Sequence, residues 1–301
     1  MTPEDILSHP PRVLSQTQRE HFFREGYILV EGAVPDQWIA RLRAARDEFV
    51  ERSRDVDGSD AVYDLEPGHS DASPRLRRIT NPSIQHPVIW EFASQSILAD
   101  IVADLVGPDV KFRESMLNFK WAGGGDPVEW HQDLAFYPHT NRTPLITLLC
   151  LEDVTPEMGP LKVIPGSHER ELFDHHDDAG RWAGGVADRD LARAGVESAV
   201  SLPAPAGTLI VIHGWVIHGS ERNLSDRCRP LLICGYSAAD AFSYTPLGNV
   251  SRYTWEIVRG QPAKYSHHEP LRLRVPPDWS QGYTSIFEDQ KSETRERPAG
   301  A

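Results

Sequence analysis

A histidine and an aspartate stand two residues apart in the stretch VEWHQDLAFYP, at His131 and Asp133. In an extended strand, residues i and i+2 lie on the same face, so an imidazole nitrogen and a carboxylate oxygen could converge on one point. Such a pair is half of a metal site, but a histidine beside an acid is also a common surface ion pair. A third ligand is needed to decide between these interpretations.

A second stretch, VIHGWVIHGSERNLSDRCRPLLICGY, contains side chains that could complete the site. Its NLSD segment has the composition of a turn, which predicts a hairpin that turns between Leu224 and Ser225. In this register Ser220 faces Arg229 across the strands, and His218 is a diagonal neighbour of Arg229. We therefore expect a histidine, a hydroxyl and a guanidinium in one pocket.

His213 competes with His218 for the role of third ligand. Their separation of five residues places them on opposite faces of a strand, and His213 faces away from Arg229 in the predicted register. We therefore choose His218 and interpret His213 as a structural or surface histidine. Arg222 and Arg227 are expected near the turn, in solvent.

Two histidines and one carboxylate on a β scaffold are the ligands of non-haem Fe(II) oxygenases, which keep coordination positions open for cosubstrate and oxygen. Zinc hydrolases also use mixed histidine and carboxylate ligands. Arg229 favours the oxygenase, because an arginine can bind the distal carboxylate of a 2-oxoacid through two parallel hydrogen bonds. A metal-dependent hydrolase or isomerase on a cupin-like barrel and a catalytically silent binding protein remain as alternatives.

The composition is that of an ordinary globular protein. The 301 residues are 40% hydrophobic and 25% charged, and the net charge is −13. The chain has no apolar run near the roughly 20 residues of a spanning helix and no secretory signal, so we expect a cytoplasmic protein. The acidic balance argues against a nucleic-acid partner. Cys150, Cys228 and Cys234 form no CxxC pair, and their odd number fits no closed disulfide framework, so they are expected to be buried or bystander thiols.

The first third of the chain is predicted to be mainly helical. Ser15 and Gln18 resemble a capping box, and Gly26 is a typical helix end. Hydrophobic residues then recur at spacings of three and four. The predicted helices cover residues 15–25, 36–52 and 87–105, with a strand at YILVEG and a polar loop over 55–74.

Near residue 109 the sequence changes to short apolar runs separated by turn residues, which predicts a β-sandwich or barrel. We expect one domain over residues 1–301. Its parts are a helical front over about 15–105, a β core over about 109–240, a region over about 241–287 that shapes the substrate pocket with the loop near 170–195, and a frayed tail over 288–301.

These motifs together resemble the phytanoyl-CoA dioxygenase family of Fe(II)- and 2-oxoglutarate-dependent enzymes, which includes ectoine hydroxylase. The resemblance rests on HxD, on MGPLKVIPGSH and on HGSERNLSDRCR, and it covers roughly residues 15–240. It implies a mainly β fold with flanking α-helices and a double-stranded β-helix core of the jelly-roll, cupin-like kind. It also implies a reaction that uses Fe(II), 2-oxoglutarate and O2 to hydroxylate a small-molecule substrate, with release of succinate and CO2.

The resemblance further implies roles for individual residues. His131, Asp133 and His218 match the iron ligands, and Arg229 matches the anchor of the cosubstrate. Related halogenases replace the carboxylate of Asp133 with a small residue, so its presence favours hydroxylation over halogenation. The strong negative charge of the chain favours a small metabolite over a polyanionic acyl-CoA as substrate.

Further contacts are expected around these residues. Asn118, Ser220 and Thr147 match positions that contact the cosubstrate in related enzymes. Four aromatic residues could line the substrate pocket, although core positions would explain each of them equally well: Phe136, Tyr137, Trp215 and Tyr236. We expect a monomer or a homodimer.

Overall fold

The computed structural model describes residues 1–282 and 285–291, and its longer helices precede residue 110. The helices are α1 (Pro3–Ser8), α2 (Gln16–Glu25), α3 (Asp36–Arg52), α4 (Pro82–Gln85), α5 (Pro87–Gln95), α6 (Ile97–Val106), α7 (Leu191–Ala194) and α8 (Ile286–Lys291). None of the described helices is long and apolar enough to cross a membrane.

The strands are short at the chain's beginning and longest in its middle. They are β1 (Tyr27–Val30), β2 (Tyr63–Leu65), β3 (Leu76–Thr80), β4 (Val110–Lys120), β5 (Val128–His131), β6 (Leu145–Cys150), β7 (Leu161–Val163), β8 (Val200–Ser201), β9 (Leu209–His213), β10 (His218–Ser220), β11 (Arg229–Ala238) and β12 (Ile257–Arg259). Short 3₁₀ segments lie in several of the connections.

Helix α2 begins and ends where its sequence signals predict. The Ser15 hydroxyl accepts a hydrogen bond from the backbone N–H of Gln18, whose side chain accepts one from the backbone N–H of Ser15. Gly26 ends the helix in a left-handed conformation with φ +80°. A Cβ at this glycine would lie 2.5 Å from Nδ1 of His168, so both the backbone angle and the close approach favour glycine.

The predicted helix over 87–105 is instead two helices, because Ser96 interrupts it. Ser96 has extended backbone angles, and its hydroxyl donates a 2.6 Å hydrogen bond to the carbonyl of Phe92 and accepts one from the N–H of Leu98. One serine thus ends α5 and caps α6. The predicted loop over 55–74 also differs, since it contains β2, which pairs with β3.

Within the described residues, the strands form two antiparallel sheets. The large sheet has the order β1-β9-β6-β11-β4-β3-β2, with β12 also paired to β4, and the small sheet has the order β5-β10-β7-β8. This arrangement, with helices packed beside the sheets, is the predicted jelly-roll fold.

The large sheet separates two hydrophobic layers. Its outer face packs against α2, α3, α5 and α6, while its inner face packs against the small sheet. Strand β6 shows the alternation: Leu145 and Leu149 belong to the helix side, whereas Ile146 and Leu148 belong to the layer between the sheets. The face on which a β6 residue lies therefore decides whether its side chain can contact the space between the sheets.

The predicted hairpin that pairs Ser220 with Arg229 is wrong. Strand β10 pairs with β5 and β7 in the small sheet, whereas β11 pairs with β4 and β6 in the large sheet, where Arg229 lies opposite Lys120. The NLSD segment connects one sheet to the other. Its Asn223 amide donates to the carbonyl of Lys120 at 2.9 Å and accepts from the N–H of Ser225 at 2.9 Å. Turn composition alone does not specify whether the two flanking strands pair with each other.

The predicted frayed tail begins too early in the chain. Residues 288–291 belong to α8, which packs against β5. The side chain of Gln290 accepts a hydrogen bond from the N–H of Glu129 and donates one to the carbonyl of Gly184, both at 2.9 Å. The rest of that tail, 292–301, lies outside the described residues.

Candidate active site

His131, Asp133 and His218 converge at one end of the small sheet. His131 ends β5 and is paired directly with His218, which begins β10. Asp133 follows in a 3₁₀ turn over Asp133–Ala135. Nε2 of His131 and Nε2 of His218 lie 3.7 and 3.9 Å from Oδ1 of Asp133. One possible ligand atom from each residue lies within 4.8 Å of the other two.

Backbone carbonyls determine which nitrogen of each ring faces the cluster. Nδ1 of His131 lies 2.8 Å from the carbonyl oxygen of Glu129, and Nδ1 of His218 lies 3.0 Å from that of Val216. A carbonyl can only accept a hydrogen bond, so each Nδ1 carries the proton and each Nε2 offers a lone pair. This is how hydrogen bonds behind a metal site orient its histidine ligands.

Burial makes the cluster suitable for a cation. Burial and the nearby His218 ring lower the pKa of His131 well below its ordinary value, so this ring is neutral at neutral pH. Burial also raises the pKa of Asp133, although His218 and Arg113 oppose that shift. The Tyr137 hydroxyl lies beside the carboxyl, but Oδ2 of Asp133 has no hydrogen-bond partner of normal geometry among the described residues. A divalent metal ion would compensate this buried oxygen, and two histidines with one carboxylate fit iron.

The cluster faces a cavity of about 150 Å³ between the two sheets. Apolar side chains from both sheets form much of its wall, and α8 contributes Ile286 and Phe287. Four basic side chains also line it: Arg78, Arg113, Lys120 and Arg229. The cavity therefore combines a metal-binding cluster with an excess of basic over acidic side chains.

Arg229 lies in this cavity at the start of β11 and is 4% exposed. Burial lowers the pKa of its guanidinium to about 10, and its Nε has no hydrogen-bond partner among the described residues. Its titratable neighbours are the thiols Cys150 and Cys228, which are free as predicted, and Lys120. A buried guanidinium without an anionic partner is unfavourable, so this part of the cavity suits an anionic group.

Asn118 and Ser220, which the sequence predicts as cosubstrate contacts, line the same cavity as Arg229. Oδ1 of Asn118 accepts a 3.2 Å hydrogen bond from Nε of Arg78. The backbone carbonyl of Ser220 accepts one at 3.2 Å from Nζ of Lys120. Residues from both sheets thus line the same cavity as Arg229, although the predicted hairpin does not exist.

The predicted role of Thr147 is not supported. Thr147 lies on the helix side of β6, and its hydroxyl donates a 3.0 Å hydrogen bond to the carbonyl of Cys234. Its neighbours Ile146 and Leu148 line the cavity instead. Because successive side chains of a strand point to opposite faces, a displacement of one residue in the matched position reverses the assignment.

The predicted aromatic residues divide between the cavity and the core. Phe136 and Tyr137 line the cavity. Tyr236 belongs to the core on the helix side, where its hydroxyl donates to the carbonyl of Ala93 at 2.7 Å. Trp215 is buried outside the cavity lining, beneath the guanidinium of Arg142. Tyr236 and Trp215 are therefore packing residues, which the sequence left as the alternative.

His213 lies outside the metal cluster, at the end of β9. Its Nδ1 accepts a 3.1 Å hydrogen bond from the N–H of Trp215, and burial lowers the pKa of its ring to about 3. It therefore has a structural role, as predicted. Arg222 and Arg227 are exposed, also as predicted.

Several cavity residues were not named individually from the sequence. Arg113 and Glu114 line the cavity, as do Asn249, Trp279 and Phe287, which lie in the region over about 241–287 that was predicted to shape the pocket. The adjacent charges Arg113 and Glu114 within the apolar run VKFRESMLNF were an available signal, since charged residues are seldom buried without a partner or a function. The C-terminal aromatic residues carried no comparable signal.

Comparisons with known proteins agree with this geometry. The family model for phytanoyl-CoA dioxygenase (PhyH) matches residues 22–231. A probable alpha-ketoglutarate-dependent hypophosphite dioxygenase from Stutzerimonas stutzeri is 29% identical over 94% of this chain and 99% of its own length. Among solved structures, EctD from S. alaskensis with bound Fe has a TM-score of 0.66 at 27% identity, covering 85% of this chain and 87% of its own. The same protein with 2-oxoglutarate and 5-hydroxyectoine has a TM-score of 0.67 at 25% identity, covering 92% of both chains.

The family match covers most of the β core and much of the helical front, which confirms the resemblance inferred from the motifs. It also decides against the hydrolase and the silent binding protein, because the relatives are dioxygenases and the metal cluster is intact. The chain belongs to the phytanoyl-CoA dioxygenase family and is an Fe(II)- and 2-oxoglutarate-dependent dioxygenase.

Proposed function

We propose that His131, Asp133 and His218 hold the iron and that the enzyme hydroxylates a small molecule beside them. The observation that carries this assignment is the convergence of the three side chains within 4.8 Å, with Nε2 of both histidines free to bind metal. Three protein ligands leave positions on the metal for the cosubstrate and oxygen. When bound, iron and 2-oxoglutarate supply the oxidising chemistry.

Arg229 is proposed to bind the distal carboxylate of 2-oxoglutarate. Its buried guanidinium, which carries an unpartnered Nε, supports a charge-assisted contact that fixes the orientation of the cosubstrate. Asn118 and Ser220 are proposed to contact the same molecule, because both line the cavity with Arg229. Apolar side chains, Phe287 of α8 among them, form much of the wall around this space.

The substrate is proposed to be small. The net charge of −13 disfavours a polyanionic acyl-CoA, which supports a small metabolite as substrate. The relative matched along almost its whole length is named for hypophosphite, and the similar crystal structure holds 5-hydroxyectoine, so substrates differ within this group. The family therefore defines the reaction class, and residues around the cavity define the substrate.

Oxygen consumption and succinate formation test the assignment of the iron ligands. Wild-type enzyme should consume oxygen and form succinate only with both Fe(II) and 2-oxoglutarate. The Asp133→Gly variant should lose more than about 100-fold in rate, since even residues behind metal ligands contribute roughly 10–100-fold. Asp57→Gly, at an exposed position, serves as the control and should keep the wild-type rate. Undiminished activity in Asp133→Gly would show that this carboxylate does not bind iron.

Four expectations from the sequence stay predictions. They are that the chain forms one domain, acts in the cytoplasm, is a monomer or homodimer and binds no nucleic acid. The net charge of −13 supports the last of these. Light scattering coupled to size-exclusion chromatography measures the oligomeric state directly.

A further inference from the structure

Arg113 lies in the cavity because of a β-bulge in β4. Where β4 pairs with β11, Gly235 lies opposite Glu114 and Tyr236 lies opposite Phe112, so Arg113 is the extra residue between them. Such a bulge changes the direction of a side chain and is common beside active sites. Two successive residues, Arg113 and Glu114, consequently line the cavity.

The backbone of β11 and an aromatic ring hold the Arg113 guanidinium in place. A Cβ at Gly235 would lie 2.5 Å from Nη2 and 3.2 Å from Nε of Arg113, so glycine provides the space that the guanidinium fills. Cζ lies 3.6 Å from the centroid of the Tyr137 ring. The residue is 1% exposed, which means that its position is determined by packing.

The hydrogen bonds around Arg113 leave donors without acceptors. Its Nη1 donates to one carboxylate oxygen of Glu114, and the other oxygen accepts from the amide of Asn249 at 3.3 Å. Both oxygens of Glu114 are therefore partnered. Nε and Nη2 of Arg113 have no acceptor of normal geometry among the described residues. The groups of this pair that remain without partners are therefore N–H donors. They can bind an acceptor such as an anion.

Bound 2-oxoglutarate does not account for these donors if Arg229 anchors it. Arg113 precedes Glu114, whose partner Gly235 lies six residues from Arg229 on β11, so the backbones of the two arginines are separated by roughly 20 Å along the strands. The two side chains therefore enter the cavity from different backbone positions, and a carboxylate held by Arg229 leaves the donors of Arg113 available to a second anion. The charges of Fe(II) and the 2-oxoglutarate dianion cancel, so the cavity keeps more basic than acidic side chains after both have bound.

We propose that Arg113 binds the substrate and that the substrate carries a small anionic group, either a carboxylate or an oxyanion of phosphorus. This inference rests on the proposed function, because it requires the cosubstrate to occupy the Arg229 end of the cavity. Glu114 is then the countercharge that stabilises Arg113 when no substrate is bound. Gly235 and Tyr137 are positioning residues that orient the guanidinium.

Calorimetry on the anaerobic enzyme loaded with Fe(II) and 2-oxoglutarate tests this proposal. The probes are acetate and methylphosphonate as anions, with acetamide as the neutral counterpart of acetate. Both anions should bind the wild-type enzyme, and acetamide should bind at least about tenfold more weakly. Arg113→Gln should weaken anion binding by roughly 10- to 100-fold, as expected for the loss of a charge-assisted hydrogen bond. Arg142→Gln, outside the cavity lining, is the control and should leave binding unchanged.

Variants of Glu114 test whether the pair binds an anion through Arg113 or a cation through Glu114. Glu114→Gln should strengthen anion binding a few-fold, because it removes the countercharge from the guanidinium. The Arg113→Gln/Glu114→Gln double variant removes both charges of the pair, so neither is left buried alone. It therefore tests the loss of Arg113 even if the single variant does not fold. The double variant should bind anions as weakly as Arg113→Gln.

Three results would overturn the proposal: no anion binds the wild-type enzyme, acetamide binds as tightly as acetate, or the variants lacking Arg113 bind anions normally.

Affinity for 2-oxoglutarate separates this failure from a failure of the proposed function. It should stay within about threefold of wild type in Arg113→Gln. If Arg113→Gln weakens the binding of 2-oxoglutarate as much as Arg229→Ala does, Arg113 is a cosubstrate ligand and the substrate assignment is wrong. Normal metal and 2-oxoglutarate binding with no anion binding would leave the dioxygenase assignment intact.

Discussion

The two sheets contribute different kinds of groups to one cavity. The small sheet supplies His131 and His218 from the paired ends of two short strands, so the metal cluster depends on neighbours within one ladder. The large sheet supplies the buried cations Arg113 and Arg229 from its long strands β4 and β11. Metal binding and anion binding therefore rest on separate elements, and single substitutions should separate them.

The largest effect is expected from the small sheet. His218→Ala removes one of three ligands and should lower Fe(II) affinity by more than about 100-fold, with loss of turnover, because residues behind metal ligands already contribute 10–100-fold. Equilibrium dialysis with Fe(II), or with Mn(II) in its place, measures the affinity. His213→Ala is the matched control, since this ring lies outside the cluster, and it should bind metal normally. Loss of metal in His213→Ala with retention in His218→Ala would reverse the choice between the two histidines.

A smaller and different effect is expected from the large sheet. Arg229→Ala should raise the apparent KM for 2-oxoglutarate by roughly two orders of magnitude, because a charge-assisted pair contributes up to about 3 kcal/mol. Metal affinity should change little, because Arg229 is not part of the metal cluster. Steady-state succinate formation at varied 2-oxoglutarate measures the KM.

Arg227 provides the control for that experiment. It lies two residues away and is exposed, so Arg227→Ala should change the KM by less than about threefold. If Arg227→Ala gave the large effect and Arg229→Ala the small one, the cosubstrate would not bind at the start of β11.

The smallest effect is expected from a buried histidine outside the metal cluster. Burial lowers the pKa of His139 to about 3, so its ring is neutral in the folded protein, whereas it titrates near 6.5 after unfolding. The unfolded state therefore binds the proton first, and the free energy of unfolding falls as pH decreases from about 6.5 toward 3. The slope is at most about 1.4 kcal/mol per pH unit for one such ring. Urea unfolding of His139→Gln between pH 7 and 5 should show a shallower decrease than wild type.

His9, which is exposed, provides the comparison for that experiment. His9→Gln should keep the wild-type dependence on pH. An equal slope in His139→Gln and wild type would show that His139 is already accessible to protons in the folded protein.

The sequence by itself indicated the residues of the metal cluster and, through its resemblance to a known family, the reaction class. Few side chains bind iron, so His131 and Asp133 were identifiable from residue type and from the two-residue spacing of a strand. The choice of His218 over His213 used their odd separation together with a hairpin register that the structure does not contain. Local signals also predicted helix boundaries, as at Ser15, because a cap depends on residues three positions apart.

Only the tertiary structure decided how the strands pair and which faces they bury. The chain passes from the small sheet at Ser220 to the large sheet at Arg229, although the turn between them has the composition of a hairpin. Thr147 lies on the helix side of β6, and the bulge in β4 turns Arg113 toward the cavity. Strand pairing depends on contacts between distant parts of the chain, and a shift of one residue reverses the face of every side chain. Local sequence patterns do not specify strand pairing or register, so the adjacent charges of Arg113 and Glu114 could be noticed in the sequence but placed in the cavity only in the folded protein.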